Sequence, residues 1–329
     1  MTQKFAPVDL HVDSIIQQRL FGYNMTRRHR PGMRGQPLFW HADIPRMVEA
    51  NYAGACLGVH YFPWESEAGW REMNRQIDYL DEVVAQDARV MRVRSPEDWA
   101  EARRRGVIGL APGVEGAHML NAKLERVAEL AARRPAYMTL THFCKNAAIT
   151  PAMGRGANEV DGLTEFGRAL VGALEDADIL VDLAHVNTPG VLDVCKVARR
   201  PVLCTHTGVK GVYDHARNIS DAEIDAIAQT GGVIGVIFAP GFLAGKLRAT
   251  SSVVVDHLEY IIQRVGIRHV AIGSDYDGWL PAIPSDQRDC RDIHIVSNEL
   301  IHRGYSAEQV AMIMGENAFE MLSRARPEF

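Results

Sequence analysis

VDLHVD, residues 8–13, is a strand-like apolar run that ends on two metal-ligand residue types, His11 and Asp13. The same construction recurs down the chain: GLAPGVEG carries Glu115, ILVDLAH ends on His185, PVLCTH ends on His206, and VAIGSDYDG carries Asp275. A position that could stay hydrophobic is a potential ligand just where each strand should emerge. Around these stretches, apolar and β-branched runs predict eight strands, near 7–12, 54–62, 106–114, 137–143, 179–185, 201–206, 232–239 and 269–275. Most are continuously apolar rather than alternating, as in parallel strands covered on both faces. Amphipathic segments between them predict helices over 66–85, 122–133, 164–177, 188–198, 220–230 and 252–265, with one or two closing helices over 306–324. Thr164 with Gly167, and Ser220 ahead of Asp221 and Glu223, read as helix starts, and Gly231 as a stop. Repeated strand–helix units of this number predict an α/β fold: one (β/α)8 TIM-type barrel of the metallo-dependent hydrolase type, spanning 1–329 as a single domain. Its active site would lie at the C-terminal strand ends, with the Arg-, Gly- and Pro-rich stretch 23–45 as a long loop near the mouth.

The residue types permit a specific chemistry. In a strand, His11 and Asp13 point the same way, so both can reach one ion. Glu115 has two carboxylate oxygens and can bridge two ions, while His185 and His206 end consecutive strands and can converge on the second. Nitrogen and oxygen donors without thiolate favour zinc, with manganese or cobalt as alternatives. Two such ions would hold a water, lower its pKa and polarise a carbonyl. Asp277 reads as a turn-former in SDYDG, and His60 as a core or supporting residue without an acidic neighbour. Cys144 and Cys204 read as small buried hydrophobes.

Composition narrows the class. The 329 residues are 47% hydrophobic and 23% charged, with a formal net charge of -5, which gives no nucleic-acid footprint. The runs Arg27–Arg30 and Arg103–Arg105 read as solvated or loop charges. Five scattered cysteines without a CxxC pair argue against a disulfide framework and for a reducing compartment. The apolar runs are too short to span a bilayer, Met1–Pro7 has no leader character and SRARPEF carries no anchor signal. A soluble, cytoplasmic protein with no membrane partner is expected.

Long ordered motifs over nearly the whole chain resemble the renal (membrane) dipeptidase family, peptidase family M19. They are DLHVD at 9–13, GVEGAHML at 113–120, YMTLTH at 137–142, DGLTEFGRALV at 161–171, ILVDLAHV at 179–186, PVLCTHTG at 201–208, ARNISD at 216–221, GGVIGV at 231–236, DHLEYI at 256–261, IGSDYDG at 272–278 and MGENAFEML at 314–322. The resemblance implies a (β/α)8 barrel with two zinc ions, His11 and Asp13 on one, His185 and His206 on the other, and Glu115 bridging. It implies His142 near the scissile carbonyl, Arg217 on the substrate carboxylate and Asp275 as proton carrier. The implied reaction is hydrolysis of a small dipeptide by a metal-bridged hydroxide, with a D-residue often tolerated at the C-terminal position; a homodimer is compatible with it. The alternatives are another barrel amidohydrolase (an N-acyl-amino-acid hydrolase, a lactonase or a deaminase) and a non-catalytic barrel that binds. Typical members of that wider group carry His-x-His after the first strand, where this chain has His11-x-Asp13. This chain also departs from the family's habits at Leu10 and Val12, at Phe143–Asn146 and at Phe238–Pro240, the last two stretches being expected to line the pocket.

Overall fold

The computed structural model describes residues 5–30 and 32–323. Among these residues are nine parallel strands: β1 (Val8–Val12), β2 (Gly54–Val59), β3 (Val90–Arg92), β4 (Ile108–Glu115), β5 (Tyr137–Thr139), β6 (Leu180–Asp182), β7 (Leu203–Thr207), β8 (Val233–Val236) and β9 (Val270–Ile272). Eight of them close a barrel in the order β1-β2-β4-β5-β6-β7-β8-β9, with β9 returning to β1. The TIM-type barrel expected from the strand pattern is therefore present, with one strand added. β3 lies outside the ring against Ile108–Leu110 of β4, on the edge that β5 takes over at Gly113–Glu115. Its sequence, RVMRVR, is three residues of strand among arginines, too short and too charged to read as a buried run.

Helices cover the outside as the periodicity predicts, at Glu67–Gln86, Arg126–Arg133, Glu165–Asp176, Thr188–Val197, Asp221–Gln229 and Ser252–Val265. The Thr164 hydroxyl accepts from Gly167 N at 3.0 Å, and Ser220 forms a capping box with Glu223. Gly231 takes the left-handed conformation, φ +79°, that ends a helix. Among the described residues, five further helices were not legible in the pattern: Ser14–Phe21, Ile44–Glu49, Pro96–Arg105, Pro240–Ala244 and His294–His302. Arg103–Arg105, expected as solvated or loop charges, form the last turn of Pro96–Arg105, where the helix dipole favours cations. No helix among the described residues is long and apolar enough to cross a membrane.

Two apolar clusters hold the layers together. The larger lies between the strands and the surrounding helices. The smaller takes Val8 and Leu10 from β1, Cys56 from β2, Ala111 from β4, Tyr137 from β5, Leu180, Leu203, Val233 and Ala271 from the remaining barrel strands, and Ala318, Met321 and Leu322 from the helix Asn317–Ser323. That helix follows Ala307–Ala311 through one π-helical turn, Met312–Glu316, and plugs the barrel floor. Residue 324, included in the expected closing helix, lies outside the described residues.

The floor is apolar; the mouth is organised by buried charge. Asp277 is fully buried and accepts from Ser14 Oγ at 2.5 Å, His41 N at 2.6 Å and Ala42 N at 3.3 Å, tying the long 23–45 loop to the end of β9. Arg46, also fully buried, reaches Asp43 Oδ2 at 2.8 Å, Trp40 O at 2.9 Å, Tyr23 Oη at 3.2 Å and Asp289 Oδ2 at 3.3 Å. Removing the guanidinium leaves the fully buried Asp43 with only His29 and backbone N–H groups beside it, while Asp289 keeps Arg291 at 2.8 Å. Arg46→Met should therefore lower unfolding free energy by about 3–5 kcal/mol, the range for breaking a buried ion pair. Denaturant unfolding of the two proteins checks this, and a change under 1 kcal/mol would contradict it.

Candidate metal centre

β4 alternates regularly: Ala111, Gly113 and Glu115 face the barrel axis, so its last residue is delivered into the mouth. β2 does the same with Cys56 and Gly58. β1 and β7 do not. Val8 and Leu10 face the interior, so strict alternation would aim Val12 inward rather than His11. A register shift between Asp9 and Val12, and another between Cys204 and Thr207 in β7, re-aim His11 and His206 into the mouth. His142, His185 and Asp275 each lie three residues beyond the last residue of β5, β6 and β9, not in strands as the apolar runs suggested. There the chain has left the ladder and is free to turn. His185 (φ +69°) and Asp275 (φ +59°) adopt the left-handed conformation, which costs an L-residue about 1–3 kcal/mol and which functional sites commonly carry.

All five expected ligands come together. His11 Nε2 lies 3.2 Å from Asp13 Oδ1 and 3.6 Å from Glu115 Oε1. Glu115 Oε1 lies 3.2 Å from His185 Nε2 and 3.5 Å from His206 Nε2, and those two ring nitrogens are 3.0 Å apart. Glu115 Oε2 faces the other way, 3.7 Å from His142 Nε2 and 3.8 Å from His60 Nδ1. Asp275 Oδ1 is 4.0 Å from His11 Nε2. His11 Nε2, Asp13 Oδ1, Glu115 Oε2, His60 Nδ1, His142 Nδ1, His185 Nδ1 and Arg217 Nε are all buried without a hydrogen bond. Such a concentration of orphaned polar atoms in one place calls for a ligand. A Cβ built on Gly58 would overlap Asp13 Oδ1 and come within 3.0 Å of His11 Nε2, so the bare glycine leaves the room a cation needs there. The residues present fit divalent metal ions.

The electrostatics agree. Burial pushes the Glu115 carboxyl up to about 8, against the pull of His11, with Asp13 adding to the rise. Burial and then the Asp13 charge hold the Asp275 carboxyl well above its usual range. The polypeptide by itself therefore favours the protonated form of Asp275, and cations beside it would pull the other way. Burial opposes a charge on His11, but Asp13 and Glu115 outweigh it and carry the ring up to about 10. Carboxylates crowded here demand positive charge beside them. Burial, with Arg217 and neighbouring imidazoles, holds His142, His185 and His206 well below their usual range, so their rings are neutral and have lone pairs to give.

Supporting residues that sequence reasoning did not find set the ring tautomers. Tyr137 Oη donates to Leu10 O at 3.0 Å and lies 2.7 Å from His11 Nδ1, so His11 donates from Nδ1 and keeps Nε2 for the centre. Thr205 Oγ1 donates to Asp182 Oδ2 at 2.9 Å and accepts from His206 Nδ1 at 3.0 Å, with the same result. No local signal marks Tyr137, whose partner is 126 positions away.

The centre floors a cavity of about 450 Å³ lined by His142, Phe143, Arg217, Phe242, Asp275 and Trp279 among others. Arg217 is buried; its Nη2 donates to His206 O at 3.1 Å and its Nε has no partner. Asp221, four residues further on, pairs with Arg264 at 2.8 Å. Phe143 lines the cavity as expected. Phe238 does not: it is fully buried with its ring 5.6 Å from that of Tyr276, and Phe242, in the short helix that follows, takes the lining place.

Comparison with known proteins agrees with this geometry. A metallo peptidase from Rhodobacter sphaeroides, crystallised with a phosphinate mimic of the dipeptide L-Ala-D-Ala, superposes with a TM-score of 0.88 at 22% identity, over 98% of this chain and 100% of that one. The probable dipeptidase PvdM from Pseudomonas aeruginosa gives 0.85 at 20% identity, over 98% and 96%. An amidohydrolase from the same organism gives 0.80 at 21% identity, over 98% and 96%. These establish a shared fold. The sequence profile of the membrane dipeptidase family, peptidase family M19, matches residues 1–327, and the chain belongs to that family of metal-dependent dipeptidases.

Proposed function

We propose that the protein is a binuclear zinc dipeptidase that accepts a D-residue at the C-terminal position of its substrate. One observation carries this function: Arg217, a buried guanidinium with an unpartnered Nε, stands on the wall of a cavity floored by the carboxylate–imidazole cluster. A dipeptide places a free carboxylate one residue from its scissile bond, so a buried cation beside a metal centre fits that spacing. Tolerance of a D-residue is inferred from the Rhodobacter relative, whose bound mimic is of L-Ala-D-Ala.

When bound, two ions held by His11, Asp13, Glu115, His185 and His206 would acidify a water and polarise the scissile carbonyl. The chain's own residues do the rest. Arg217 receives the carboxylate on a planar fork that a lysine could not offer. His142 is kept neutral by burial, and its ring N–H donates to the oxygen that gains charge as the carbonyl is attacked. Asp275, at the cavity wall, takes the proton of the attacking water and returns it to the leaving amine.

Two substitutions separate these roles. Arg217→Ala should cost about 2–5 kcal/mol in kcat/KM on a dipeptide, in the range for truncating one side of a buried charge pair. A dipeptide amide lacks the carboxylate, should already be a poor substrate, and should lose much less; equal losses on acid and amide would contradict carboxylate recognition. Asp275→Asn preserves size but cannot take a proton. Turnover should fall by about 10²–10⁴-fold with metal content and KM nearly unchanged. Loss of metal in step with activity would make Asp275 a ligand instead.

A further inference from the structure

His60 entered as a core or supporting residue, and the geometry gives it another place. β2 and β4 pair without a bulge over their whole length, ending at Val59 beside Val114. The next residues, His60 and Glu115, therefore stand side by side at the rim. Alternation through Cys56 and Gly58 aims residue 60 inward as well. The backbone at this position is held by one side chain: His60 N donates to Gln76 Oε1 at 3.2 Å, and Gln76 Nε2 donates to His60 O at 2.8 Å. Its Nδ1 is buried without a partner and lies 3.8 Å from Glu115 Oε2, itself an orphan. Asp13, His60 and Glu115 each offer one ligand atom, all within 4.8 Å of one another, a separation one ion can bridge.

Glu115 divides these partners. Its Oε1 faces His11, His185 and His206, and its Oε2 faces His60 and His142. We propose that His60 is a sixth protein ligand, joining Asp13 and Glu115 toward the ion that His11 and Asp13 would hold. Gly58, two residues earlier on the same face, leaves room beside Asp13 and His11 for such an ion. The two ions are then unequal: one has two imidazoles, Asp13 and the bridge, the other two imidazoles and the bridge alone. The Asp13-side ion would have the fuller protein shell, hold tighter, and keep fewer positions for water, leaving the His185–His206 ion the more open one.

The inference rests on the two-ion reading above, and the test keeps the two apart. Cobalt-loaded wild type and His60→Ala are titrated with a chelator while the visible absorption of bound cobalt is followed. Wild type should release two ions in two separated steps. In His60→Ala the tighter step should weaken by at least about 10–100-fold, the span for losing a group that supports a metal, and its absorption should change, while the weaker step stays put. A variant with both steps and both spectra as in wild type would overturn the ligand role of His60. Wild type that binds fewer than two ions would sink the two-ion reading itself. Should the variant fail to fold, the cobalt-shifted ring N–H signals of wild type in proton spectra decide alone: four support His60 as a ligand, three exclude it.

Discussion

Three carboxylates, Asp13, Glu115 and Asp275, share a buried barrel mouth, and their mutual repulsion is the constraint from which the rest of this site follows. Burial and mutual charge drive Glu115 and Asp275 toward their protonated forms, and the Asp13 and Glu115 charges drive His11 to hold a proton against its burial. Such a cluster without compensating charge costs folding free energy. Divalent cations remove that cost and use the same oxygens and lone pairs, which is why the site reads as a centre to be filled rather than as a core.

Irregular backbone recurs at the residues that build this place. Most of the barrel is regular: β4 delivers Glu115 by plain alternation, and the floor is closed by an apolar helix. The two register shifts fall in β1 and β7, the strands that carry His11 and His206. The left-handed residues His185 and Asp275 fall just past β6 and β9. Asp277 and Arg46 then anchor the first loop beside the mouth, so one set of buried charges fixes the wall around the carboxylate–imidazole cluster.

What was legible in the sequence follows from what was local. Apolar runs ending on His or acidic residues were visible at His11, Glu115, His185 and His206, because a buried strand has little reason to end that way. The barrel was readable because parallel strands covered on both faces show as unbroken apolar runs. β3 was not, since three residues on an outer edge between arginines carry no such signal. Strand ends ran too long at His142, His185 and Asp275: hydrophobicity continues where the chain enters the buried mouth, although the ladder has stopped. Tyr137, Gly58 and the Asp182–Thr205 pair act across long separations, and only the closed barrel brings them to their partners. Phe238 was misplaced for the same reason, because facing the pocket or facing Tyr276 is decided by a turn and not by composition.

The central claim is that Glu115 joins two cation sites into one centre. Metal content per chain, measured on the protein after saturation with zinc and removal of free ion, tests it most directly when set beside Glu115→Gln. The account expects two ions in the wild type, and weakened binding at both sites in the variant because both cations lose a shared charge. One ion or none in the wild type, or two firmly held ions in Glu115→Gln, would contradict it.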